Sequence, residues 1–281
     1  MAAHRSEVTS FSNPVVMRLA PANAPLPQDN RLLAALPPDI RESLFPRLQR
    51  IWLPSGLTLH EAGDCMRLVY FPIDAVVSLT TSTDDGMATE LASVGNEGLI
   101  GLAIIMGGES SPTRASVLEA GWAFGVGRGC LMELFHASPA VQRLLLRYAQ
   151  AQLTQYAQQA VCNRRHSAEQ QFCRWLLLRL DRADSNCLEL THELIGNLLG
   201  VRRETITQVA GKLQKLDIIH YARGHLEVRD RAQLEHLCCE CYAAVRRETD
   251  RLLPAAAAPP LAPPRLVAGA GIRARPASLP S

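Results

Sequence analysis

The 281-residue sequence predicts an α+β protein: a β-rich N-terminal half, one long helix, and a helical C-terminal half carrying a β-hairpin. Three observations predict it. Short apolar or alternating runs separated by turn residues fill residues 69–126. From Pro139 onward, apolar residues step by three and four through Ala160. Finally, LTHELIGNLLGVRRETITQVAGKLQKL, from Leu190 to Leu216, reads as two short helices joined by a tight turn, the second showing polar side chains outward.

Length and composition bound the answer. The chain is long enough for two domains with cores of their own. A hydrophobic fraction of 47% with 20% charged residues suits a soluble globular protein. No apolar run reaches the roughly 18 residues of a membrane helix, so no membrane partner is expected. The opening MAAHRSEVTSFSNPVVMRLA lacks a continuous apolar core and a cleavage site, so no signal peptide is expected. Eight cysteines in that context fit reduced thiols and a cytoplasmic location. Residues 31–160 carry 9 Arg against 12 acids, whereas 161–253 carry 15 Lys and Arg against 13 acids. This modest asymmetry permits nucleic-acid binding without demanding it.

In chain order, residues 1–30 are rich in Ala, Pro, Asn and Ser and are expected to form a disordered tail. The next segment, to residue 48, should form short helices broken by Pro37, Pro38 and Pro46. Strands are expected at 69–71, 75–81, 88–94, 115–120 and 122–126, with Asp84-Asp85-Gly86 turning a hairpin. Short strands at regular spacing suggest a sandwich or barrel, placed at 31–138. GNEGLIG lacks the GxGxxG spacing and a following helical pattern, which excludes a dinucleotide-binding turn.

Ser138-Pro139 opens a long helix, 139–163, as a cap followed by Pro at the first helical position. Leu146, Ala149, Leu153, Tyr156 and Ala160 make a coiled-coil seam, while Leu144, Leu145 and Tyr148 supply a second apolar face. The alternative is a helix packed only on its own β-domain. Residues 164–253 form the C-terminal unit. It starts with a helix at 168–182, with Phe172, Trp175, Leu176 and Leu180 as core. Thr191 caps the next helix, Gly200 ends it in a left-handed conformation, and Ile206, Val209, Leu213 and Leu216 face inward on the one after. Strands at 218–222 and 225–229 flank Arg223-Gly224, and a last helix spans 231–253. Residues 254–281 are low-complexity and expected to be disordered.

The run G-x-R-R-E-T-I followed by D-I-I resembles the DNA-binding segment of the Crp/Fnr transcription regulators. The resemblance extends to VYFPIDAVVSL (69–79), DGMATELASVGNEGLIG (85–101) and TRASVLEA (113–120). It implies a β jelly-roll sensor domain of cyclic-nucleotide-binding type, a long dimerisation helix and a C-terminal winged helix-turn-helix. It also implies a homodimer on palindromic double-stranded DNA, with RNA polymerase as a further partner. Arg203, Glu204, Thr207 and Gln208 would read bases. Arginine can pair bidentately with guanine, glutamate can accept from cytosine, and glutamine suits adenine. The alternative for Glu204 is a surface ion pair. Thr191, Arg202, Thr205, Lys212 and Arg223 would contact the DNA backbone. Two departures stand out: Gln208 replaces an arginine, and Arg202 replaces the usual Ser or Thr cap.

The same resemblance places an effector pocket at Gly101, Leu102, Arg114 and Ala115. Gly101 and Arg114 match the glycine and phosphate-binding arginine of the cyclic-nucleotide site, but Leu102 replaces the glutamate that holds the ribose. Leucine would leave that hydroxyl unpaired at about 1–3 kcal/mol, so tight cyclic-AMP binding is not expected. Arg114 leaves an anionic small-molecule effector possible, or it pairs with Glu109 or Glu119. The effector is unknown. No iron–sulfur cluster is expected, because the first cysteine is Cys65, and His60 alone is weak support for a haem. Cys238, Cys239 and Cys241 fall in the expected last helix, where they form no chelating face, so no metal site is expected. No nucleophile–base pair emerges, and no enzyme is expected. The different-class alternative is a ligand-binding or interaction module whose winged helix docks protein.

Overall fold

The computed structural model describes residues 24–253 except Asp85 and Asp184. The expected tails lie outside the described residues over 1–23 and 254–281, but residues 24–30 belong to the fold. Asn30 is fully buried and caps α1 (Arg31–Ala34) by accepting from the backbone of Leu32 and Leu33. Its amide donates to Pro72 O and Gly98 O, each at 2.9 Å. The boundary after residue 30 is therefore corrected: this asparagine clamps the first helix to the β-domain. α2 (Pro38–Leu44) follows; Pro37 and Pro38, expected to break a helix, end the first one and sit at the cap and first position of the next.

The strands are β1 (Gln49–Leu53), β2 (Thr58–His60), β3 (Leu68–Pro72), β4 (Val76–Ser82), β5 (Ala88–Val94), β6 (Arg114–Glu119) and β7 (Gly121–Gly127), with α3 (Leu102–Ile105) between β5 and β6. They pair antiparallel in two sheets, ordered β1-β7-β3 and β2-β6-β4-β5. Leu53, Val77, Val94, Ile100, Val117 and Ala123 fill one core. Val69, Phe71, Phe124 and Val126 face a second core shared with the flanking helices. Central β4 is buried on both faces from Val76 to Thr80: Val77 and Leu79 enter the first core, and Ser78, on the other face, is buried by bonding Glu90.

α4 (Arg128–Ala137) leads into α5 (Pro139–Arg165), whose cap Ser138 accepts from Val141 N. Val141, Leu144, Leu145 and Tyr148 bury one face of α5 against the β-domain. Ser167 and Gln170 form a reciprocal cap at the start of α6 (Ala168–Leu180). Then come β8 (Cys187–Glu189), α7 (His192–Leu199), α8 (Arg203–Lys215), β9 (Ile219–Ala222), β10 (His225–Val228), α9 (Arg231–Leu237) and α10 (Cys241–Leu252). β8 joins the expected hairpin in a sheet ordered β8-β10-β9.

The single last helix expected over 231–253 is corrected to two. Cys238 is extended (φ −74°, ψ 157°), breaking the helix before Cys241. The chain thereby reverses and lays α10 antiparallel along α5. Gln150 lies 3.5 Å from Glu248 at one end, and His166 lies 3.6 Å from Cys241 at the other.

Candidate nucleic-acid interface

α7 and α8 are built as their sequence dictates. The Thr191 hydroxyl accepts from Leu194 N at 3.1 Å, capping α7. Gly200 ends it at φ 67°. Gly196 is needed for a different reason: a Cβ there would meet Val201 O at 2.9 Å, where the turn folds back onto α7. Ile206, Ala210 and Leu213 bury the inner face of α8 against Ile195, Leu198, Leu199 and Phe172. Ala210 replaces the expected Leu216, which is 50% exposed because α8 ends one residue before it.

The opposite face carries the predicted base-reading residues. Arg203, Glu204, Thr207 and Gln208 are all exposed, and Gly211 and Lys215 continue their stripe. Among the described residues Arg203 and Glu204 form no ion pair, so the alternative for Glu204 is not realised. Thr207 is less free. Its hydroxyl donates to Arg203 O at 3.1 Å and accepts from His192 Nδ1 at 3.0 Å. His192 in turn stacks on Tyr221 with ring centroids 4.2 Å apart. Burial, and then the Arg203 charge, hold the His192 imidazole below its ordinary pKa. The sequence reading missed His192 and Tyr221. They are 29 positions apart, and no local pattern joins them.

The expected backbone-contacting residues divide. Arg202 occupies the α8 cap position with no side-chain cap, and it is exposed together with Arg223. Arg223 (φ 52°) and Gly224 (φ 84°) make the tip of the β9–β10 wing. Thr205 is half-buried. Lys212 is held 2.7 Å from Glu169 of α6.

In the β-domain, a cavity of about 400 Å³ opens between the sheets and α5. Gly101 and Leu102 line it with Leu79, Tyr148, Leu153 and Tyr156. Tyr148 donates to Leu99 O at 3.0 Å, and Gln152 Nε2 is buried there without a partner. Two predicted pocket residues fall elsewhere. Arg114 is exposed, hydrogen-bonded to Thr58 Oγ1 at 2.8 Å and 3.5 Å from Glu61, while Ala115 is buried inside the sandwich. Strand alternation explains this: Arg114 points off the solvent side of β6 and its neighbour points inward. The partners suggested for Arg114 are also corrected. Glu109 pairs with Arg128, and Glu119 lies near Arg179.

The profile of the Crp-like helix-turn-helix domain matches residues 170–237. Solved structures extend the similarity to the whole fold. FixK2 from Bradyrhizobium japonicum superposes with a TM-score of 0.59 at 19% identity, over 68% of this chain and 98% of that one. The chain has the Crp/Fnr fold, with a Crp-like helix-turn-helix domain. A protein described as a Crp/Fnr regulator from Eubacterium rectale also gives 0.59, at 18% identity over 73% and 96% of the two chains. A Crp/Fnr regulator from Thermus thermophilus gives 0.54, at 18% identity over 67% and 97%. No curated protein matches the sequence significantly. Seen in this fold, the two sheets are the jelly roll, α5 is the long central helix, and α8 is the second helix of the helix-turn-helix. Among the described residues, no helix is long and apolar enough to cross a membrane.

Proposed function

We propose that the chain is a cytoplasmic, sequence-specific transcription regulator, binding a palindromic DNA site as a homodimer and not acting as an enzyme. The observation that carries this is the exposed Arg203–Glu204–Gln208 face of α8, held out by a buried Ile206–Ala210–Leu213 face. Such a helix fits the major groove, with arginine and glutamate on a G·C step and Gln208 turned to adenine. Arg202 and the wing residue Arg223 neutralise phosphates, and RNA polymerase is the further partner by analogy with the fold's regulators.

The dimer forms along α5. Leu146 and Leu153 are 50% and 55% exposed, and Ala157, Ala160 and Val161 continue their stripe. Ala149 and Tyr156, expected in the seam, are taken up within the protomer. The effector is a small, mainly apolar molecule in the cavity beside α5, with one acceptor for the unpaired Gln152 amide. Leu153 both lines that cavity and lies on the dimer stripe, which links occupancy to dimer geometry. Micromolar cyclic-AMP binding by calorimetry would contradict the apolar effector.

The test of base reading is Arg203→Ala measured on a panel of single-base variants of a selected site. Specific binding should weaken by roughly 1–3 kcal/mol, with preference relaxed at one base pair. An equal loss on every sequence would leave Arg203 only a phosphate contact.

A further inference from the structure

We propose that the hinge between α5 and the C-terminal domain is a structural zinc site, with Cys162, His166, Cys239 and Cys241 as its four ligands. Their ligand atoms all lie within 4.8 Å of one another, and the three cysteines are buried. Cys162 Sγ is 3.6 Å from Cys239 Sγ, and Cys241 Sγ is 3.6 Å from His166 Nδ1. Zinc bonds of about 2.3 Å to sulfur and 2.0–2.1 Å to nitrogen set tetrahedral ligand separations of about 3.5–3.8 Å. Two contacts already meet that spacing, and a contraction of about 1 Å in the widest completes it. An iron–sulfur cluster spreads its protein ligands over two or more irons, which sets some of them well beyond the 4.8 Å that bounds this group.

The break between α9 and α10 creates the site. In one continuous helix Cys239 and Cys241 would diverge; the extended Cys238 turns both toward α5. Across from them Cys162 and His166, four apart, share one face of the last turn of α5. The pattern is therefore C-x3-H from one helix and C-x-C from a helix junction.

The surroundings match a metal-bound histidine. With Nδ1 facing the sulfurs, Nε2 lies 3.2 Å from Glu240 Oε1. A carboxylate on the second ring nitrogen fixes tautomer and orientation in such sites. Gln171 Nε2 donates to His166 O at 2.9 Å, holding the ligand's backbone. Three thiolates, a neutral imidazole and Zn2+ sum to one negative charge, and a buried cation stands ready to balance it. Arg174 is 2% exposed, donates to the side chain of Gln159 three residues before Cys162 on α5, and has no hydrogen-bond partner at Nε. Four protein ligands leave no open position, so the ion is structural: it ties α10 and the winged helix to the dimer helix. Loading it releases the protons of whichever thiols were not already ionised.

The test uses the full chain, reduced, stripped with a chelator and titrated anaerobically with Co2+ and then Zn2+. One equivalent of Co2+ should give thiolate charge-transfer and tetrahedral ligand-field bands, bleached by one equivalent of Zn2+. Cys239→Ser and His166→Gln should abolish the saturable signal, whereas Cys65→Ser and Cys187→Ser, at exposed thiols elsewhere, should keep it. Glu240→Gln, at a surface position that leaves folding intact, should weaken Zn2+ roughly 10–100-fold. Three of the eight thiols should become protected from a thiol reagent when one Zn2+ is added. No stoichiometric tetrahedral spectrum, a spectrum that survives in the Cys162→Ser, Cys239→Ser double variant, or a Cys162–Cys239 disulfide that forms equally with and without Zn2+ would overturn the proposal.

Discussion

At the residue scale, exposure decides which side chains of α8 are free for the proposed reading of DNA. Arg203, Glu204 and Gln208 are unencumbered, whereas Thr207 gives its proton to Arg203 O and takes one from His192. Since the Thr207 hydroxyl has only one proton, His192 carries its own on Nδ1, and its buried Nε2 is left without a partner. The fold therefore favours neutral His192. Its pKa is depressed, so the stability it contributes is present above the unfolded value of 6.5 and is lost as pH falls from there through the lower folded value. Urea unfolding between pH 7.5 and 5.5 should show wild type losing stability faster than His192→Gln; parallel curves would remove His192 from the account. The exposed face of α8 proposed to read bases was legible in sequence because its residues sit on one helix at fixed spacing. Arg114 was not, because a strand residue faces in or out according to register, and Arg114 opens β6 one residue before the strand expected at 115–120. A resemblance in residue type could not say which side of the sheet it occupied.

At the element scale, α6 joins the C-terminal domain to the jelly roll through buried charge. Arg179 is fully buried and 2.7 Å from Glu90, while Trp175 Nε1 donates to the same carboxylate at 2.9 Å and Ser78 Oγ donates at 2.5 Å. Arg182 holds Glu97 at 2.7 Å nearby; burial opposes the Glu97 charge, but the arginine wins and its pKa is lowered. Removing one partner of such a pair strands the other. Glu90→Ala should therefore cost about 3–5 kcal/mol in urea denaturation followed by Trp175 fluorescence, and Glu90→Leu with Arg179→Met should recover most of it. A loss under about 1 kcal/mol in the single variant would mean that Glu119, 3.8 Å from Arg179, suffices as counter-charge. None of this could be read from the sequence, since the partners are 89 positions apart. Strands β1 and β2 also escaped it: QRIWL and TLH are short and interrupted by Pro54 and Gly56, and their strand character comes from pairing with β7 and β6. The longer strands, α5 and the winged helix were visible because each repeats its period long enough to be recognised.

At the scale of the whole molecule, α5 is the shared axis. One face carries the jelly roll, another receives α10, and the stripe from Leu146 to Val161 stays exposed, which is where the proposed dimer forms. Leu153→Asp should convert the dimer to monomer by light scattering and sharply weaken binding to a two-half-site DNA, with little effect on protomer stability; a dimer that persists would place the interface elsewhere. In the proposed function, α8 reads DNA sequence from a two-fold assembly. The most direct measurement is selection of bound duplexes from a random pool, followed by affinity against random DNA at fixed salt. The account predicts an inverted repeat containing a G·C step, with half-site centres about 34–36 Å apart. It also predicts binding at least about 10³-fold tighter than to random duplex. An unenriched pool, with no binding to random duplex even at low salt, would contradict it and favour a winged helix that docks protein.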